Sequence, residues 1–388
     1  MKRVVFFLFS LFFFCFSVYA EEFDITGKYV TLYNMNEDML IYSKNDTKKT
    51  SIASLTKMMT TLVAIENIDD LEKVITIKEH DFDGTVGYSK AGFSVGDKVT
   101  YLDLLYGIIL PSGADAVNAI VNNTLGYNSF IKKMNETAKK IGMNDTSFAN
   151  PIGKDDENNY STSSDIAKLL KYALKNETFK KVFTTKSYKT SNGINLESTV
   201  NSYKSILNTS EILGAKSGFT KNAGRCLASI TTLNGVDYLL VVINSSTSSP
   251  SNAVKDTITI YDYYSSNYGY KNILNDDTFI KEIPVDLSKE KTYKITGNED
   301  VNKYLKNGDE VTYEYVGSDK ITFNTKKGSK LGVVNIYNGD ELIATSNVYL
   351  ENNIEYYPIV TYILIFIGVI FILLIIRKSK KKHRRRRR

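Results

Sequence analysis

The chain has 388 residues, 43% of them apolar and 24% charged, with 23 Gly, 5 Pro, no Trp and no repeat of fixed period. That composition excludes wholesale disorder, collagen-like arrays and solenoids, and it leaves room for two domains. The formal charge of +6 is no sign of nucleic acid: all 43 acidic residues lie between Glu21 and Glu355 while twelve of the 49 basic ones lie outside that stretch, so the middle carries −6 and no nucleic-acid partner is expected.

Met1-Lys2-Arg3, the apolar run from Val4 to Phe16 and then Val18-Tyr19-Ala20 have the order of a secretory signal, with cleavage expected after Ala20. The run is too short to cross a bilayer comfortably. Residues 21–273 follow as one α+β domain. Tyr29 to Tyr33 and Met39 to Tyr42 read as a hairpin around a polar turn. Leu55, Met58, Met59, Leu62, Val63 and Ile65 predict a mostly buried helix over 54–66, and further helices are expected over 102–110, 114–121, 127–141 and 164–174. Strands over 226–232 and 238–243 flank Asn234-Gly235 as a second hairpin. A serine-rich loop, 245–251, leads into a last helix over 252–263. Strands at both ends with helices between predict an antiparallel sheet assembled from the two ends of the domain.

Residues 274–355 change to short alternating segments, with strands expected over 311–316 and 321–325 and a hairpin of 333–337 with 342–345 across Asn338-Gly339. This small all-β module contains no catalytic cluster. Ile359 to Ile376 is an 18-residue run without charge, preceded by Tyr356-Tyr357-Pro358 and followed by the basic block 377–388. At about 1.5 Å per residue it is long enough to span the hydrocarbon layer. Residues 356–376 are therefore read as a transmembrane helix, with the body outside and residues 377–388 as a cytoplasmic tail.

Residue counts narrow the chemistry. Cys15 leaves with the signal, so Cys226 remains alone and no intrachain disulfide is expected. His383 lies in the tail and His80 in the polar stretch Lys78-Glu79-His80-Asp81, which suits a solvated surface residue. No metal and no cofactor is expected, and a serine nucleophile here needs a base other than histidine.

Ser54-Leu55-Thr56-Lys57 supplies one: the i, i+3 spacing puts hydroxyl and amine on one face, and a lysine desolvated there has a lowered pKa and can take the serine proton. The motif alone carries little, since it recurs at Ser129, Ser288 and Ser379. Its company carries more. Pro111-Ser112-Gly113 offers a hydroxyl from a tight loop between two helices, and Lys216-Ser217-Gly218, the one K-[ST]-G in the chain, opens a strand whose cation and hydroxyl suit a carboxylate. Gly218 would let a substrate backbone approach closely.

In this order the three motifs resemble those of low-molecular-mass penicillin-binding proteins, the serine-type D-alanyl-D-alanine carboxypeptidases. Asn150-Pro151-Ile152-Gly153 and Gly214 to Thr220 add to the likeness, which covers roughly 25–270, and the β module is similar more loosely to the family's C-terminal domain. The resemblance implies that Ser54 is acylated by the penultimate D-Ala carbonyl, that Lys57 is its general base and that Ser112 returns a proton to the leaving D-Ala. It implies that Lys216 and Ser217 hold the terminal carboxylate and that the N–H groups of Ser54 and Phe219 form the oxyanion hole. The partners it implies are peptidoglycan stem peptides ending in D-Ala-D-Ala, β-lactams as covalent inhibitors, and the membrane. Two positions depart from the pattern. Ala114 stands where the family usually has Asn, and Ser217 replaces the commoner Thr. The missing amide is expected to slow the enzyme, and Ala114→Asn to raise kcat/KM unless a neighbour fills the role. The alternatives are a degenerate site that only binds cell-wall peptide, and a β-lactamase, for which no equivalent of the class A deacylating Glu is recognisable.

Overall fold

A computed structural model of the chain describes residues 23–385; the signal expected over 1–20 lies outside the described residues. The chain forms two units that divide between Ser266 and Asn267.

The first unit begins with the expected hairpin, β1 (Tyr29–Asn34) and β2 (Met39–Lys44). A short 3-10 turn, Ala53–Leu55, runs into α1 (Thr56–Asn67), in which every residue from Thr56 to Ala64 is buried. A helix buried all round is the centre of a core rather than its edge. The small pair β3 (Val74–Thr76) and β4 (Lys98–Thr100) precedes α2 (Tyr101–Ile109), whose start is fixed by a reciprocal cap between Thr100 and Asp103. Helices α3 (Ala114–Asn123), α4 (Tyr127–Lys140) and α5 (Ser163–Ala173) fall where the apolar spacing predicts them. Three features of this unit lack a sequence-level expectation: the β3–β4 pair, α6 (Glu177–Thr184), and the pair β5 (Ser187–Lys189) with β6 (Asn195–Glu197). All are short, and three-residue strands leave too little alternation to read.

Strands β7 (Gly214–Thr220), β8 (Gly224–Leu233) and β9 (Val236–Ser245) complete an antiparallel sheet in the order β2-β1-β9-β8-β7, so the first hairpin joins the last three strands. The β8–β9 turn has Asn234 and Gly235 at φ +51° and +78°, the left-handed pair that a two-residue hairpin needs. Alternation along β8 sends Cys226 and Ala228 to the large helical core, and Leu227 to a smaller cluster with Ala253 and Val254 of α7 (Asn252–Asn267). Helices thus cover both faces, and β7 is left as an edge beside the turn that carries Ser54.

The second unit holds β10 (Tyr268–Leu274), β11 (Phe279–Pro284), β12 (Thr292–Thr296), β13 (Val301–Lys306), β14 (Val311–Gly317), β15 (Lys330–Asn338) and β16 (Glu341–Tyr349). They form two two-stranded sheets, β10-β13 and β11-β12, and a three-stranded sheet, β14-β15-β16, around Ile283, Ile295, Val334 and Ile336. The strand expected over 321–325 is absent: Ile321 makes a single bridge to Val285. Beyond it the Thr325 amide and hydroxyl both bond to the Thr322 carbonyl, and Asn324 takes φ +69°. Threonine hydroxyls closing a local turn outcompete the β pattern there. The chain ends in α8 (Ile359–Arg385), which contains an 18-residue window, Tyr362–Ser379, apolar and long enough to cross a membrane.

Candidate active site

Ser54 sits half-buried in the turn ahead of α1, and Ala53 before it takes φ +47°, a left-handed conformation that is costly for a residue with a side chain. One turn on, Lys57 is 1% exposed and its Nζ donates to Ser54 Oγ at 2.9 Å and to the Ile152 carbonyl at 2.8 Å. Burial drives the Lys57 pKa down to about 7, partly opposed by the charge of Asp115. The neutral amine is thus accessible near neutral pH and lies within reach of the serine proton.

The carbonyl that holds the lysine belongs to Asn150-Pro151-Ile152-Gly153, a motif with no role assigned at the level of sequence. The Asn150 Oδ1 accepts from Gly153 N at 2.7 Å and Lys154 N at 2.9 Å, curling the segment tightly. Thr60 Oγ1 of α1 donates to the Pro151 carbonyl at 2.7 Å. Gly153 has φ +88°, and a Cβ on it would collide with the Ala53 carbonyl. The segment is therefore packed directly on the serine turn, and backbone carbonyls do the orienting.

Ser112 lies between α2 and α3 with φ +65°, 5% exposed, and lines the same cleft as Ser54, Ser217, Gly218 and Phe219. Ala114 is fully buried, and its N–H donates to the Ser89 carbonyl at 2.8 Å. Asp115 turns away to accept from Ala91 N at 2.8 Å and Gly92 N at 3.3 Å. These bonds pin the segment that presents Tyr88 and Ser89 as one wall of the cleft.

The other wall is β7. Lys216 is fully buried and donates to its neighbour's carbonyl, Ser217 O, at 2.8 Å. Burial, and then the nearby charge of Lys57, hold its amine well below the ordinary lysine pKa. Ser217 Oγ shares a 2.6 Å hydrogen bond with Thr199 Oγ1, and Thr199 N donates to the Leu110 carbonyl at 3.1 Å, which ties β7 to the end of α2. Gly218 has a different reason from the one expected. A Cβ there would lie 3.0 Å from Ser54 N and 3.1 Å from Ala53 Cβ, so the glycine admits the serine turn itself. Phe219 is 48% exposed at the mouth. The cleft encloses about 250 Å³.

The structure brings Ser54, Lys57, Ser112, Lys216, Ser217, Gly218 and Phe219 to one place. It adds the Ile152 carbonyl, Thr199 and Arg225, for which the spacing gives no signal because each meets the site through the fold. His80 is far more exposed, with 52% of its side chain accessible. Cys226 is buried without a disulfide, its thiol pushed up to about 12 by burial.

A sheet flanked by helices, with a buried lysine bonded to a serine at the edge of its last strands, defines a serine acyl-transfer hydrolase. The chain belongs to peptidase family S11, the D-alanyl-D-alanine carboxypeptidases, which it matches over residues 17–247. Residues 268–356 match the C-terminal domain of penicillin-binding protein 5. The D-alanyl-D-alanine carboxypeptidase DacF of Bacillus subtilis is 27% identical over 351 residues, 89% of this chain and 90% of that one. A D-alanyl-D-alanine carboxypeptidase of Streptomyces sp. K15 is 33% identical over 227 residues, 54% of this chain and 78% of that one. Among solved structures, penicillin-binding protein 5 of Haemophilus influenzae shares the fold at TM-score 0.62 and 22% identity, over 86% of this chain and 99% of that one. A variant of the Streptomyces K15 DD-transpeptidase reaches TM-score 0.58 at 32% identity, over 62% of this chain and 98% of that one. The enzyme is a low-molecular-mass penicillin-binding protein, a serine-type D-Ala-D-Ala carboxypeptidase.

Proposed function

We propose that this enzyme, anchored by α8 with its body outside the membrane, removes the terminal D-Ala from peptidoglycan stem peptides through an acyl-enzyme on Ser54. The observation that carries the reading is the 2.9 Å contact between Ser54 Oγ and a lysine amine whose pKa burial lowers to about 7. Lys57 takes the hydroxyl proton as Oγ bonds to the penultimate D-Ala carbonyl carbon, and the N–H groups of Ser54 and Phe219 stabilise the resulting oxyanion. The C–N bond then breaks, the leaving D-Ala amine receives a proton through Ser112, and the acyl-enzyme remains. Water, deprotonated by the same lysine, releases the shortened peptide and restores Ser54.

Lys216 and Ser217 receive the substrate's terminal carboxylate, and a β-lactam carboxylate takes the same place. Penicillin is therefore expected to label the chain once, on Ser54, and Ser54→Ala to abolish the label. Mass mapping that puts the adduct on Ser129 or Ser288 overturns the assignment. Measured release of D-Ala from a D-Ala-D-Ala peptide separates the enzyme from a degenerate binder, which releases none.

A further inference from the structure

The second unit leads into α8 through three segments bonded side by side. Residues 285–289 lie against 321–325, with Asp286 N donating to the Ile321 carbonyl at 2.8 Å. They also lie against 355–357, where Lys289 N donates to the Glu355 carbonyl at 3.0 Å and Tyr357 N to the Leu287 carbonyl at 2.8 Å. The Tyr356 hydroxyl donates to the Thr325 carbonyl at 3.1 Å, and its ring meets that of Phe323 edge-on at 5.2 Å. On this platform Leu287 is 54% exposed, Tyr357 43% and Phe323 42%. Leu287 also takes φ +54°, a costly conformation for a residue with a side chain. The charged residues on either side of it are paired, Asp286 with Lys320 at 2.9 Å and Lys289 with Glu355 at 2.7 Å. An apolar cluster held out in this way gains nothing from water and marks a surface that meets something else.

Covalent continuity says what it meets. Tyr357 stands two residues before Ile359, where the uncharged run of α8 begins. Two residues of chain reach at most about 7 Å, and the headgroup layer on each side of a bilayer is roughly 5–8 Å deep. With that run embedded, the Leu287 backbone bonded to Tyr357 is held at the level of the headgroups. A leucine and an aromatic ring at that level can bury against the acyl boundary.

We propose that Leu287 and Phe323, beside Tyr357, form a seat that docks the second unit on the membrane surface, a contact additional to the spanning helix. This rests on the reading above in which α8 anchors the chain in the membrane. Two side chains bury too little to hold the unit there without α8, so their effect is to orient it.

Because the chain has no tryptophan, an introduced one reports its own surroundings. The full chain is reconstituted in vesicles of phosphatidylethanolamine and phosphatidylglycerol whose acyl chains are brominated near the headgroup. It carries one substitution at a time: Leu287→Trp, Phe323→Trp, Phe366→Trp in α8, or Leu342→Trp. Leu342 is 52% exposed near the β15–β16 turn, roughly 25 Å along the strands from the Gly328–Leu350 contact at about 3.3 Å per residue. Leu287→Trp and Phe323→Trp are expected to be quenched about two-fold or more over Leu342→Trp, and to emit at shorter wavelength. Any variant whose melting curve departs from the wild type is replaced by cysteine at that position carrying a bimane label, read in the same way. Quenching at either position no greater than that of Leu342→Trp overturns the proposal. If Phe366→Trp is unquenched, the anchor reading fails and the seat with it; if Phe366→Trp is quenched while Leu287→Trp and Phe323→Trp are not, the seat alone fails.

Discussion

Burial rather than a partner lowers the Lys57 pKa, as the proposed role of general base requires, and the sign of the effect is testable. With the folded pKa near 7 against 10.5 for an ordinary lysine, the amine becomes competent as pH rises through about 7. The acylation rate is therefore expected to climb through that pH and to level above it, as stopped-flow labelling with fluorescent penicillin would show. Because Asp115 raises this pKa, Asp115→Asn should move the acid limb of the profile to lower pH. A limb that stays put assigns it to another group. The same shift bears on stability. Between the two pKa values the unfolded chain binds a proton that the folded one lacks, so Lys57 makes stability rise with pH across that window, and Lys216 acts in the same direction. The departure at Ala114 also reads differently with the site in view. The lysine takes its second acceptor from the Ile152 carbonyl, and Ala114 is fully buried, so an asparagine there must displace packed neighbours. Overpacking of this kind costs about 1–3 kcal/mol. Ala114→Asn is expected to lower the melting temperature without raising kcat/KM, and a higher kcat/KM in steady-state kinetics would show that the missing amide is the limiting defect.

At the scale of elements, the site is held by loops braced on α1 and on the edge strand β7. The 150–153 segment lies against the serine turn, where Gly153 leaves no room for a Cβ and occupies a left-handed φ. Gly153→Ala should therefore push Ala53 and Ser54 out of register, lowering stability by about 1–3 kcal/mol and acylation by more than that alone explains. Urea unfolding together with penicillin labelling of the folded fraction checks both halves; labelling at the wild-type rate would mean that the turn tolerates the displacement. The bonds from Ala91 and Gly92 to Asp115 and from Ala114 to Ser89 brace the opposite wall in the same manner. Loops can hold a site in register when a rigid sheet and a buried helix fix where they begin and end, as they do here.

On the scale of the whole molecule, all the residues of the cleft lie in the first unit, while the apolar window is in α8 of the second. A chain ending before Ile359 is accordingly expected to leave the membrane fraction and to keep its kcat/KM, and a large fall in kcat/KM would show that the site needs its anchor. Local spacing alone carries part of the answer. The 3.6-residue pattern marked α1 to α5, Asn234-Gly235 marked the β8–β9 turn, and Ser54 with Lys57 stood one helical turn apart. Local spacing also misled at 321–325, where threonine side chains closed a turn on a segment that alternates like a strand. What surrounds the lysine and what faces the cleft depends on contacts between segments far apart in the chain. Ile152 is 95 residues from Lys57, and Thr199 is 18 from Ser217. A backbone carbonyl is the same in every residue, so no side-chain pattern announces that it will hold a lysine. The pKa of Lys57 is likewise a property of the core packed around it, and a lysine in the chain acquires it only when that core excludes water.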